Sequence, residues 1–364
     1  MPCSNASDLP TRNMVAPAIR TTNGAIVLLN LRAQIDGLER QARDIGLPSD
    51  RRADLIDLIS LSGHLFGRIT DFERANVLAE QFVLDASAEG MAYVSRARTR
   101  ATFHRFDESL ADLDRAEQLG ITPSSLVSER ASALCEKGQA DRALALIQAA
   151  VDRRLDESTL GTLALLYAEF GELALADATF ARAGAQYRGV SPFPIAMLDF
   201  QRGRMWLEWE EPNLGRLWLD AACTRLPAYA PAQGHLAKVE AELGEYEPAL
   251  ARLRSLATSS DDPDYTAQLA RILEDAGETV EAKHWRQVTA RRYGALVDRR
   301  PAAFADHAAE FWLSAGHDPF RAVSLAAQNL RYRPTQRARR LMQRALDHAT
   351  EYRRSGACAR TRPS

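Results

Sequence analysis

The 364-residue sequence predicts an all-α fold, a right-handed α-solenoid of about eight helix-turn-helix repeats with a capping helix at each end. Three observations predict it. A small residue recurs at Ala75, Ser109, Ala143, Ala176, Gly215, Ala249, Ala282 and Ala322, in steps of 33 to 40 residues. A second small residue stands twelve positions earlier at Ala97, Ala131, Ala164, Gly203, Ala237 and Ala270, and a large apolar one four positions later at Leu113, Ile147, Phe180, Leu219 and Leu253, with Arg286 as a departure. Glycines five before the marker at Gly138, Gly171, Gly244 and Gly277 read as the turn between two helices. Small residues let paired helices approach closely, and the larger residue one turn on fills the space against the next pair.

In chain order, residues 1–22 are expected to be flexible, because no apolar periodicity ties them down. Residues 23–50 predict a capping helix, since Leu28, Leu31, Ile35, Leu38, Ala42 and Ile45 make one stripe that ends at Gly46 and Pro48. A short self-associating coil is the alternative reading of that stripe. Residues 51–334 predict the solenoid. Its first unit, 51–87, has a longer turn, and the unit around Gly215 lacks the turn glycine, with "WEEPNLG" in its place. Extra residues at "YRGVSPFP" and "RRYGALVDRRP" predict breaks in the stacking. Pro227 and Pro334 stand where second helices should stop. Residues 335–354 predict a basic capping helix with Leu341, Met342, Ala345 and Leu346 as its stripe, and 355–364 a flexible tail.

"LGTLALLYAEFGELALADATFARA", residues 160–183, places Ala164, Tyr167, Gly171, Ala176, Phe180 and Ala183 where the tetratricopeptide repeat family has its signature positions, and the likeness runs over roughly 51–334. The chain thus resembles that family. The resemblance implies a concave groove lined by the first helix of each hairpin that binds proteins or peptides, in some members through basic and amide residues. The Lys/Asn clamp of those members is not reproduced here, and fold alone does not settle function.

Hydrophobic residues at 46% and charged residues at 26% are enough for a sizeable core. Cys3, Cys135, Cys223 and Cys358 lie far apart, so they predict reduced thiols rather than a disulfide framework or a zinc knuckle. No apolar run is long enough for a signal peptide or a membrane span, and a cytoplasmic protein is the expectation. The net charge is −2, but from Arg331 onward ten arginines face only Asp347 and Glu351, leaving an acidic body.

No phosphate loop, HExxH, GxSxG or CxxC is present, so neither catalysis nor a cofactor is expected. His307 and Glu310, with Asp306, His317 and Asp318 nearby, could in principle hold a metal; a solvated helix and turn is the plainer reading. Trp206, Trp209 and Trp218 read as core first, with the latter two as alternative partner anchors. On the groove face one column reads Arg98, Ser132, Leu165, Arg204, Lys238 and Arg271, and three residues earlier Ser95, Glu129, Thr162, Gln201, His235 and Gln268. The candidate partner-binding residues are Arg98, Gln201, Arg204, His235, Lys238, Gln268 and Arg271, a ladder suited to an extended peptide or its carboxylates. Glu208, Glu242 and Asp275 follow four residues on and offer the alternative of a self-neutralised face. The arginine-rich terminal helix raises nucleic acid, but scarce interleaved aromatics and an acidic body make it the less expected partner.

The expected function is therefore a protein- or peptide-binding scaffold, an adaptor or assembly factor. The alternatives are a peptide- or ligand-responsive regulator and a non-catalytic accessory subunit. The oligomeric state stays open.

Overall fold

The structure is a computed structural model that describes residues 19–153 and 156–360, with side chains described as far as residue 354. Helix α1 (Gly24–Asp44) is followed by α2 (Ser49–Phe66) with α3 (Ile69–Asp85), α4 (Gly90–Thr102) with α5 (Phe106–Gln118), and α6 (Val127–Glu136) with α7 (Ala140–Val151). Next come α8 (Glu157–Glu169) with α9 (Leu173–Gln186), α10 (Phe193–Glu208) with α11 (Pro212–Arg225), and α12 (Ala230–Glu242) with α13 (Tyr246–Ser259). The series ends with α14 (Pro263–Asp275) and α15 (Thr279–Arg299), α16 (Pro301–Leu313) and α17 (Pro319–Tyr332), and α18 (Gln336–Arg360). This is the all-α solenoid: eight hairpins flanked by two further helices, and no strand among the described residues. No helix among them is long and apolar enough to cross a membrane.

The repeated small residues sit where the paired helices touch. Ala75, Ala143, Ala176, Ala249 and Ala322 are fully buried, and Ser109 donates its hydroxyl to Ala97 O at 2.9 Å, joining the two small-residue columns directly. At Gly203 and Gly215 the two backbones face each other so closely that a Cβ on Gly203 would lie 3.0 Å from Gly215 O. The residues four positions on, Leu113, Ile147, Leu219 and Leu253, are wholly buried between successive hairpins.

All eight hairpins turn through one left-handed residue: Gly67, His104, Gly138, Gly171, Glu210, Gly244, Gly277 and His317. From the second hairpin on, each stands five residues before the marker. The missing glycine of "WEEPNLG" is thus no missing turn, because Glu210 takes the same conformation at φ 61°, at a cost of about 1 kcal/mol.

Of the two expected breaks, "YRGVSPFP" is a loop up to Pro192, with Phe193 opening α10, and is braced by the Tyr187 hydroxyl donating to Ser191 O at 2.7 Å. The second expectation is corrected. "RRYGALVDRRP" does not interrupt the stacking; it lengthens α15 to 21 residues, because it buries Tyr293 and Leu296 and its proline starts α16 instead of breaking α15.

The solenoid closes on itself along a seam. Asp261 accepts from Ile69 N at 2.6 Å and Thr70 N at 3.1 Å, Ser260 donates to Gly67 O, and the Tyr265 ring packs on Gly67. One hairpin along, His104 Nδ1 meets Ala302 O at 2.9 Å and the Arg300 guanidinium lies 3.9 Å from the Phe103 ring centroid. One hairpin further, Gly138 lies under the backbone of Pro334. Turns of the first three hairpins therefore rest on the linkers that follow α13, α15 and α17.

Before that seam, Thr22 N donates to Val190 O at 2.7 Å and Arg225 donates to Ile19 O at 2.8 Å, so residues 19 and 22 of the segment expected to be flexible are held; 1–18 lie outside the described residues. Leu31, Ile35 and Leu38 of α1 are buried in a core cluster that includes Ile59 and Phe82 together with Leu219, Leu226 and Leu236.

Candidate binding lumen

The closed seam leaves a cavity of about 560 Å³ inside the superhelix. The ends of α6, α8 and α10 form one wall; α16, α17 and α18 form the other. Its apolar lining includes Leu165, Leu166, Met205 and Leu341, and its polar lining is mostly charged.

Arg333, in the linker before α18, anchors the far wall. Its guanidinium reaches Asp306 Oδ2 at 2.9 Å and also pairs with Glu136 across the lumen. Burial alone would raise the Asp306 carboxyl, but His307, Arg333 and His104 overcome it and hold the pKa at about 2. Asp306 in turn raises His307, whose Nε2 lies 4.0 Å from Asp306 Oδ1. His104 is pushed down to about 4 by burial and by Arg333, so it is neutral at the seam.

Arg204 and Gln201 of α10 point into this space. Burial lowers the Arg204 pKa, although a third of its side chain still meets solvent. Its ion pair, to Glu208 on its own helix, is 3.5 Å long. Gln201 Oε1 is buried without a donor, and so is Asn329 Oδ1 of α17, on a residue only 3% exposed. Buried carbonyl oxygens without partners cost about 1–3 kcal/mol each, so these two are ready to accept from a ligand.

The other candidates from the groove columns are placed differently. Arg98 is held at 2.8 Å by both Asp57 and Glu129. His235 bonds Pro231 O through Nδ1 at 3.0 Å, packs its ring on Phe200, and is pushed down to about 4 by burial. Lys238 lies 3.9 Å from Glu242, and Arg271 3.2 Å from Asp275. Gln268 donates to Asp264 at 2.7 Å, leaving its own oxygen unpartnered. Of the seven, Gln201 and Arg204 line the cavity.

A further column escaped the sequence reading. Seven residues before the marker stand Glu136, Glu169, Glu208, Glu242 and Asp275, the last turns of five consecutive first helices. The first three line the cavity. The signal was the same fixed offset that revealed the alanines; it was visible for the last three only because each follows a basic residue.

Trp206 is buried and donates to Asp177 at 3.1 Å, and Trp218 is buried under the Arg202 guanidinium at 3.7 Å. Trp209, 40% exposed, lies against Gly171 at the cavity mouth. His307 faces the lumen whereas His317 pairs with Glu274 at 2.9 Å, and no group able to hold a metal is found among the described residues. Cys135, also in the lining, is pushed up to about 12 by burial and is an inert thiol. Cys3 and the Cys358 side chain lie outside the described residues.

No protein-family model and no curated protein sequence matches the chain. Among solved structures, the human IFIT1 dimer with PPP-AAAA aligns with 89% of this chain and 79% of its own at 14% identity, with a TM-score of 0.55. A monomeric IFIT1 mutant with Gppp-AAAA aligns with 89% and 77% at 13% identity, also at 0.55. A tetratricopeptide repeat protein from Parabacteroides merdae aligns with 71% of this chain and 98% of its own at 13% identity, with a TM-score of 0.42. The IFIT1 likenesses show the fold, a helical solenoid built of such hairpins.

Proposed function

We propose that the chain is a non-catalytic scaffold, an adaptor or assembly factor, that holds a protein or peptide segment in its lumen. The observation that carries this reading is the pairing on α10 of an acceptor without a donor, Gln201 Oε1, with a cation one turn away, Arg204, whose ion pair is long. A peptide unit offers the matching N–H and C=O, and a carboxylate would fill the second place more strongly. Leu165, Leu166 and Met205 supply the apolar floor for a side chain.

The test is selection of a displayed peptide library on the full chain, repeated on Gln201→Ala and Arg204→Ala. Enriched peptides that lose at least tenfold in affinity on both variants are expected. No enrichment, or enrichment indifferent to both, overturns the reading. An oligoadenylate belongs in the same assay, because the IFIT1 structures hold PPP-AAAA and Gppp-AAAA. The charge of the lining argues against it: five arginines and His307, which Asp306 favours in its charged form, only balance six carboxylates, and phosphate binding needs a cationic excess.

A further inference from the structure

The wall formed by α18 tells what the opposite wall attracts. This helix carries two stripes. Ala338, Leu341, Ala345 and Ala349 are buried, packing the helix on the end of the solenoid. Arg337, Arg340 and Arg344, spaced by three and four, line the cavity beside Ala338 and Leu341. Across the lumen Arg337 reaches Glu208 at 3.9 Å, while Arg344 pairs with Glu310 of its own wall.

The match is incomplete. The pair to Glu208 is long, and Glu169 has no cation within ion-pair distance among the described residues. Meanwhile the deeply buried Asn329 of α17 and Gln201 of α10 each present an oxygen that lacks a donor. Carboxylates and the bare Gln201 oxygen on one wall, with the bare Asn329 oxygen on the α17 side of the same lumen, call for a ligand rich in N–H groups and positive charge. A guanidinium supplies five such donors in one plane.

Resting on the scaffold reading, we propose that Glu136, Glu169 and Glu208, with the amide oxygens of Gln201 and Asn329, form a docking track for an arginine-bearing segment of a partner protein, and that α18 lies along part of this track as its resident competitor. The three carboxylates come from successive hairpins, so their line runs along the superhelix. The α18 stripe shows the form of segment that fits, a helix with arginines three and four apart. An incoming segment that also reaches Glu169 and the two amide oxygens gains contacts that α18 leaves unmade.

The probe is a labelled synthetic peptide copying residues 335–353, titrated by fluorescence anisotropy into the full chain. Three proteins are compared: the unaltered chain, Arg337→Gln/Arg340→Gln/Arg344→Gln, and that variant with Glu136→Gln/Glu169→Gln/Glu208→Gln. Weakening the resident stripe is expected to tighten peptide binding at least tenfold, and neutralising the track to abolish that gain. The single change Glu169→Gln, which breaks no ion pair, should cost about threefold and guards against misfolding in the multiple variants. A version of the peptide with glutamines for arginines should not bind.

Equal binding to all the proteins, no binding to any, or full competition by spermidine or free arginine at equal charge concentration would overturn the proposal. A library selection that succeeds without enriching arginine would sink this inference alone; one that fails outright would sink the scaffold reading with it.

Discussion

Arg98 and Arg204 hold the same register, eleven residues before the marker, on the first helices of the second and fifth hairpins. One is saturated and the other is not. Arg98 is clamped by Asp57 on one side and Glu129 on the other, within a region where Arg96 and Arg100 also share Asp112 and Glu80. Arg204 has Glu208 of its own helix at 3.5 Å. The cause lies one hairpin on: the position occupied by Glu129 beyond Arg98 is occupied by His235 beyond Arg204, and burial keeps that ring neutral. A repeat thus leaves one cation clamped on both sides and another with a single long ion pair by changing the neighbour, not the cation.

The largest effect expected from this contrast is at Asp112, whose side chain is 5% exposed and serves two arginines. Asp112→Ala should cost about 3 kcal/mol, seen as a lower denaturant midpoint, because it strands cations that are largely shielded from water. A loss below about 1 kcal/mol would mean the second hairpin does not depend on its network. Next, Arg98→Ala should cost about 1 kcal/mol while Arg204→Ala leaves the midpoint within about 0.5 kcal/mol. Equal losses would erase the distinction.

The pH dependence sharpens it further. His235 has a folded pKa near 4, below the ordinary 6.5, so between these values the unfolded chain takes up a proton that the folded chain refuses. Stability from this residue is full above pH 6.5 and falls as pH drops toward 4. His235→Gln should flatten that part of a melting-temperature profile; an unaltered slope would mean the ring is charged in the fold. The smallest change concerns the hairpin turns. Glu210→Gly, at φ 61°, should stabilise by up to about 1 kcal/mol, read as a small rise in melting temperature.

Much of the fold was legible because close helix contact admits only small residues, and these repeat at a fixed offset. The turns were legible where glycine marks them and hidden at His104, Glu210 and His317, where the same backbone angle is carried by residues with no such signal. Gln201 and Arg204 were reachable from the groove register. Asn329 and the α18 arginines were not assigned to the lumen, since they meet α8 and α10 only through the closing of the superhelix. Periodicity reports what touches the adjacent unit; it is silent about what arrives from well over a hundred residues away.

The seam also bears on how such a chain is made. Stacked repeats ordinarily depend on nearest neighbours alone, so they can consolidate one after another as they leave the ribosome. Here Gly67 waits for Ser260, His104 for Ala302, and Glu136 for Arg333. The earliest hairpins emerge with these turns bare and finish only when the last third of the polypeptide has been synthesised. Loss of that last third should therefore be felt first at the opposite end of the molecule.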